Sequence, residues 1–173
     1  MPIPYDSVKV VSANFTRPAD TTNYVAGDML SGATSSGTAM TFTNCSRDNG
    51  GGGYITDVII VDSAYSATAV IYKLWLLDTN PTTAVNDNVG FNLSDTEMES
   101  VQAVVEISNA HAGSATIGAG GNRALQTDSI LRSFVCASSD SNLYGVLTVN
   151  SAFNPVSSEK LTVKLKIMED TSR

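Results

Sequence analysis

Lys160-Leu-Thr-Val-Lys-Leu-Lys-Ile-Met168 is the stretch whose reading decides the fold. Leu161, Val163, Leu165 and Ile167 share one side of a two-residue repeat, and Lys160, Thr162, Lys164 and Lys166 share the other. Side chains alternate in this way along a strand with one face in a core and the other in water. Residues 101–107 follow the same rule, with Val101, Ala103, Val105 and Ile107 opposed to Gln102, Val104 and Glu106. Residues 8–15, 24–30, 38–43, 130–137 and 142–149 are further strand candidates.

Two segments are apolar on both faces: 54–62 (YITDVIIVD) and 69–78 (AVIYKLWLLD). Both are rich in the β-branched and aromatic residues that strands favour. Joined by a polar link at 63–68, they read as adjacent central strands. Either both faces are covered, or one face presses against a partner subunit. The count of eight or nine strands with turn-rich links indicates an all-β antiparallel sandwich or barrel. The one helix candidate is short, at 94–101, where Ser94 and Glu97 have the spacing of a capping box. The glycine run at 49–53 reads as a hairpin or flexible tip.

Composition narrows the function. A chain of 173 residues fits one domain, here 8–173, with an extended arm at 1–7. Pro2 and Pro4 deny that arm a ladder role, so Ile3 and Tyr5 stay exposed unless something covers them. Only 16% of residues are charged and the net charge is −7, without runs of like charge. Nucleic-acid binding needs clustered basic residues. The only approach to that, Lys160, Lys164 and Lys166, reads as the wet face of a single strand, so neither nucleic acid nor an anionic membrane is an expected partner. The start has neither the basic nor the apolar segment of a signal peptide. The longest apolar runs, 58–61 and 74–77, fall far short of the roughly 18 residues of a membrane span.

Catalytic and metal chemistry find little support. His111 is the only histidine, in a loop context, and no serine sits in a nucleophile elbow. Cys45 and Cys136 admit one disulfide or two buried thiols, and a reducing cytosol favours the thiols. Residues 78–88 (DTNPTTAVNDN) offer oxygen ligands to calcium but lack an EF-hand's pattern, and Asp, Asn and Pro make turns for local reasons. Asp57, Asp62, Asp78, Glu97, Glu99 and Glu106 are acids from which a glycosidase pair could be drawn, but sequence gives no separations. Tyr72 and Trp75 fall on opposite faces of one strand, which suits a core or interface better than a sugar platform. Exposed loop aromatics reduce to Tyr65 and Phe153. No cofactor is expected, and the profile is that of a structural or binding protein rather than an enzyme.

The central and late segments carry a further signal. Tyr54-Ile-Thr-Asp-Val-Ile-Ile-Val-Asp-Ser63, Leu74-Trp-Leu-Leu-Asp-Thr-Asn-Pro-Thr-Thr83, Asn86-Asp-Asn88 and Phe91-Asn-Leu-Ser-Asp95 resemble a family of tailed-phage virion proteins. So do Phe134-Val-Cys-Ala137, Asn142-Leu-Tyr-Gly-Val146, Asn154-Pro-Val156 and Lys160-Leu-Thr-Val163. Leu77 stands where Phe is expected, and residues 1–50 carry none of the likeness. The resemblance implies a capsid decoration or cement protein of jelly-roll type. It would be made in the host cytoplasm, sit on the outer surface of the head and tie neighbouring major-capsid subunits together as a dimer or trimer. Its expected contacts are sheet edges and the arm residues Pro2, Ile3, Pro4 and Tyr5. The competing reading is a host-recognition or carbohydrate-binding sandwich of a phage tail or fibre.

Overall fold

The structure, a computed structural model, describes residues 8–64, 70–108, 116–117, 122–126 and 130–169. Two antiparallel sheets face each other. The strands are β1 (Val8–Thr16), β2 (Met29–Leu30), β3 (Met40–Phe42), β4 (Gly52–Asp62), β5 (Ile71–Leu77), β6 (Val101–Ser108), β7 (Thr116–Ile117), β8 (Asn122–Gln126), β9 (Arg132–Val135), β10 (Leu143–Val149) and β11 (Lys160–Glu169). The first sheet runs β1-β11-β4-β8-β7, with β9 also on β4; the second runs β2-β10-β5-β6, with β3 also on β10.

Two interruptions explain the number of strands. β2 and β3 lie end to end along one edge of β10, separated by the small-residue stretch 31–39. β8 and β9 likewise share one edge of β4. Joining each broken pair leaves eight strand positions plus the two-residue β7. The antiparallel pairs are then nested: β1 with β11, β2/β3 with β10, β4 with β8/β9, β5 with β6, alternating between the sheets. That folded ribbon is the jelly roll.

The main core lies between the sheets. Leu161, Val163, Leu165 and Ile167 of β11 are fully buried there, with Ile55, Val58 and Ile60 of β4 and Leu74 and Leu76 of β5. β11 and β6 bury the faces their alternation predicts. The apolar segments 54–62 and 69–78, however, are not neighbours. β4 is central in the first sheet and β5 in the second. Each has its own reason for a second apolar face. The outer face of β5 carries Trp75, which stacks on Phe91 at 4.5 Å. Around it Met29, Ala39, Leu77, Val85 and Val146 form a second, smaller core under the 78–94 connection. Among the described residues, the outer face of β4 has no such cluster.

Helix α1 (Asp95–Met98) is shorter than the 94–101 expectation but capped as foreseen: Ser94 Oγ accepts from Glu97 N, and the Glu97 carboxylate accepts from Ser94 N at 2.9 Å. Residues 24–30 are mostly not strand. Tyr24 and Asp28 make isolated bridges to Phe153 and Gly90 before the short β2.

The glycine run is not a flexible tip. Gly50, at φ +70°, donates to Ala137 O at 2.9 Å and Asp140 O at 3.0 Å, and β4 begins at Gly52. A Cβ on Gly53 would stand 2.5 Å from Met168 O, and one on Gly52 equally close to Phe134 O. Backbone cannot yield cheaply there. Gly53→Ala is expected to lower unfolding free energy by roughly 1–3 kcal/mol. Gly90→Ala, where nothing lies within 4 Å, should change it little. Urea denaturation of both variants checks the contrast.

Candidate attachment surfaces and the buried network between them

One end of the sandwich is tied by ionised groups taken out of water. Arg17, just past β1, has a side chain with 0% exposure, and that of its counter-ion Asp87 has 1%. Arg17 Nη2 meets Asp87 Oδ2 at 3.1 Å, Arg17 Nη1 donates to Val156 O at 3.3 Å, and Arg17 Nε donates to the Tyr24 hydroxyl. Tyr24 in turn donates to Asp87 Oδ1 at 2.6 Å, which also accepts from Ser31 N at 3.0 Å. The guanidinium lies 4.7 Å from the centre of the Tyr24 ring, which stacks on Phe153 at 5.0 Å. Burial, then Asp87, pushes the Tyr24 hydroxyl far above its usual range. Three stretches distant in sequence, 17–31, 87 and 156, therefore meet on one carboxylate and one guanidinium.

This network settles residues 78–88. Asp87 is committed to Arg17, Asn86 Oδ1 accepts from Gly37 N at 3.1 Å, and Asp78 Oδ2 accepts from Gln102 Nε2 at 2.9 Å. The oxygens do not converge on a cation. Among the described residues no group of three His, Cys, Asp or Glu side chains could hold a metal ion.

Four of the other five candidate acids are engaged separately. Glu97 accepts from Thr82 N and Thr83 N at 2.7 and 2.8 Å and from the Thr83 hydroxyl at 2.6 Å. Those Thr83 bonds, with that from Ser94, hold its carboxyl well below the usual range. Asp57 pairs with Lys166 at 3.5 Å, Asp62 is buried and accepts from Ala64 N, and Glu106 accepts from Asn150. Glu99 sits exposed at the C-cap of α1.

Tyr72 points into the main core, edge-on to Phe153, while Trp75 points outward. Phe153, expected as an exposed loop aromatic, is buried. His111, Tyr65 and the arm residues Pro2, Ile3, Pro4 and Tyr5 lie outside the described residues.

Both cysteines are free thiols in the core. Burial pushes Cys45 up to about 12 and raises Cys136 as well.

What the molecule offers a partner is strand edge. β1 is nine residues long, pairs with β11 from Val8↔Met168 to Thr16↔Lys160 without a register shift, and ends its sheet. Its other edge has no ladder partner among the described residues. On that side a groove of about 550 Å³ separates β1 from the broken edge β2/β3. Ser12, Asn14 and Thr38 line it together with Phe15, Leu30 and Val85, so its wall mixes polar and apolar side chains. Alternation located β1 in the sequence but could not identify it as the end of a sheet.

The chain matches no protein-family model and no curated protein. The segments that carry the phage-virion resemblance have structural jobs in this fold. Residues 74–83 and 86–88 form outer β5 and the connection over it, and Phe91-Asn-Leu-Ser-Asp95 supplies the Trp75 stack and the helix cap.

Two stability predictions follow from the buried groups. Asp87→Asn leaves the desolvated guanidinium only the partly exposed Asp20 carboxylate, at 3.5 Å, as counter-charge and should cost about 3–5 kcal/mol in urea unfolding. Arg17→Met with Asp87→Leu should cost clearly less than the two single changes added together. The Cys45 thiol has its ordinary value of 9.0 raised to about 12 by folding. The folded state therefore keeps a proton that the unfolded state releases. Stability is intact below pH 9.0 and falls as pH rises toward about 12. Unfolding free energy measured across that window should decline, with a shallower slope in Cys45→Ala.

Proposed function

We propose that this chain is a structural virion protein that decorates the outside of a tailed-phage head and cements neighbouring major-capsid subunits. The observation that carries the reading is the long, unbulged free edge of β1 beside an open groove. Folded proteins usually protect such an edge, because its unpaired N–H and C=O groups recruit another strand. An extended segment from a neighbour gains main-chain hydrogen bonds there. The phage-virion resemblance supplies the class of neighbour. The jelly roll alone does not, since this fold serves unrelated functions.

The internal engagement of the candidate acids also favours a binding role over a catalytic one. A carbohydrate-binding module needs aromatic rings presented to solvent. Here Phe153 and Tyr72 are buried, Trp75 is stacked under a connection of its own chain, and among the described residues Tyr54, on a sheet face rather than a loop, is the one exposed aromatic. Many identical contacts on one lattice would multiply a modest individual affinity.

The test mixes purified protein with mature heads lacking it and measures copies bound and survival of heat or osmotic shock. Saturable, symmetry-matched occupancy with added resistance is expected. Binding to glycans without binding to heads would overturn the reading. Deleting residues 1–6 should weaken attachment and leave thermal unfolding unchanged.

A further inference from the structure

The two outer faces of the sandwich are treated differently. Over the second sheet the chain folds its 78–94 connection and builds a small core on Trp75. Over β1, β11 and β4 the outward residues form a mixed apolar and basic field. The register sets Val8, Met168 and Tyr54 in one row, Val10, Lys166 and Asp57 in the next, then Ser12, Lys164 and Ile59, then Asn14, Thr162 and Val61. Val8 is 65% exposed, Val10 58% and Tyr54 42%. Lys160 stands at the end of the same face.

The charge of this field opposes that of the whole chain. The protein carries −7, yet here Lys160, Lys164 and Lys166 meet Asp57 as the only carboxylate among the outward residues of β1, β4 and β11. Lysine stems lying over a sheet cover apolar surface while their ammonium groups stay in water. A row of lysines flanked by apolar side chains fits a docking face for a surface of the opposite charge.

We propose that the outer face of β1, β11 and β4 docks on an acidic protein surface of the shell. This inference rests on the cement reading and names the face and the chemistry of its partner. A second copy is the poorer occupant. Pairing two copies of this face about a two-fold axis sets three lysines against three. Docking it on the acidic remainder of another copy is a head-to-tail contact that closes into a ring or propagates into filaments, and either one uses up the face in self-assembly. An acidic lattice meets neither objection.

The experiment compares wild type, Lys160→Glu/Lys164→Glu, Val10→Glu and, as an off-face control on the second sheet, Lys73→Glu, binding to heads that lack the protein. Far-UV circular dichroism and thermal midpoints verify folding of each. Wild-type affinity should fall steeply between about 50 and 300 mM salt, as screening shortens the reach of the lysines. The lysine double variant should bind about tenfold or more weakly at the lower salt and lose most of that salt dependence. Val10→Glu should weaken binding, and Lys73→Glu should not. If wild type binds heads and the lysine variant binds equally well, this face is not the docking face, although the cement reading survives. If wild type binds no heads, the cement reading fails and takes this inference with it. Concentration-dependent filaments of the free protein, abolished by the lysine changes, would assign the face to a second copy and overturn the partner proposed here.

Discussion

A buried ion pair is a demanding way to close one end of a sandwich. Desolvating a guanidinium and a carboxylate costs several kcal/mol per ion, and their attraction offsets this only if every remaining donor and acceptor is satisfied. Arg17 and Asp87 meet that condition through Tyr24, Ser31 N and Val156 O. The consequence is geometric. An apolar contact at this place would tolerate sliding, whereas two charges with fixed partners accept a single arrangement. Because Asp87 sits in the 78–94 connection, that arrangement also holds the connection over Trp75 and keeps Val85 N bonded to Gly37 O at 2.9 Å. The groove beside β1 includes Gly37 and Val85 in its wall, so its shape depends on the same pair.

The molecule is thus rigid where it faces itself and open where a strand or a surface could be added. Among the described residues, a strand edge with no ladder partner and a sheet face with no connection over it adjoin along β1. A partner could engage main-chain groups at the edge and side chains on the face with one approach. The two modes differ in their response to conditions: ladder hydrogen bonds are indifferent to salt, and lysine contacts are not.

How much of this is legible in the sequence depends on whether the governing interaction is local. β11 and β6 announce themselves, because alternation over eight or more residues has no other physical reading. The Ser94–Glu97 cap is legible for the same reason, since both partners lie within one turn. β8, with the sequence Asn-Arg-Ala-Leu-Gln, alternates too weakly to be read, and its strand state comes from pairing with β4. Residues 24–30 look like strand because Tyr24, Val25, Met29 and Leu30 are β formers, but Asp28 turns back to accept from Val25 N at 2.7 Å. The assignment of β4 and β5 to separate sheets is a matter of topology, which two-sided hydrophobicity does not encode. Least legible is the Arg17–Asp87 pair, whose members stand 70 positions apart. Nothing near either residue marks it for burial.

The nesting of the ribbon also has a consequence for synthesis. The strand beside β1 and β4 is β11, and the strand beside β2/β3 and β5 is β10. Each sheet thus has β10 or β11, late in the order of strands, as an interior member. Earlier strands can collapse but cannot complete either sheet, and β1 waits for a partner some 150 positions downstream. Such non-local closure is slow. Neither sheet can close until β10 and β11 have been made, and a nascent chain arrested before Lys160 would leave β1 without its β11 partner.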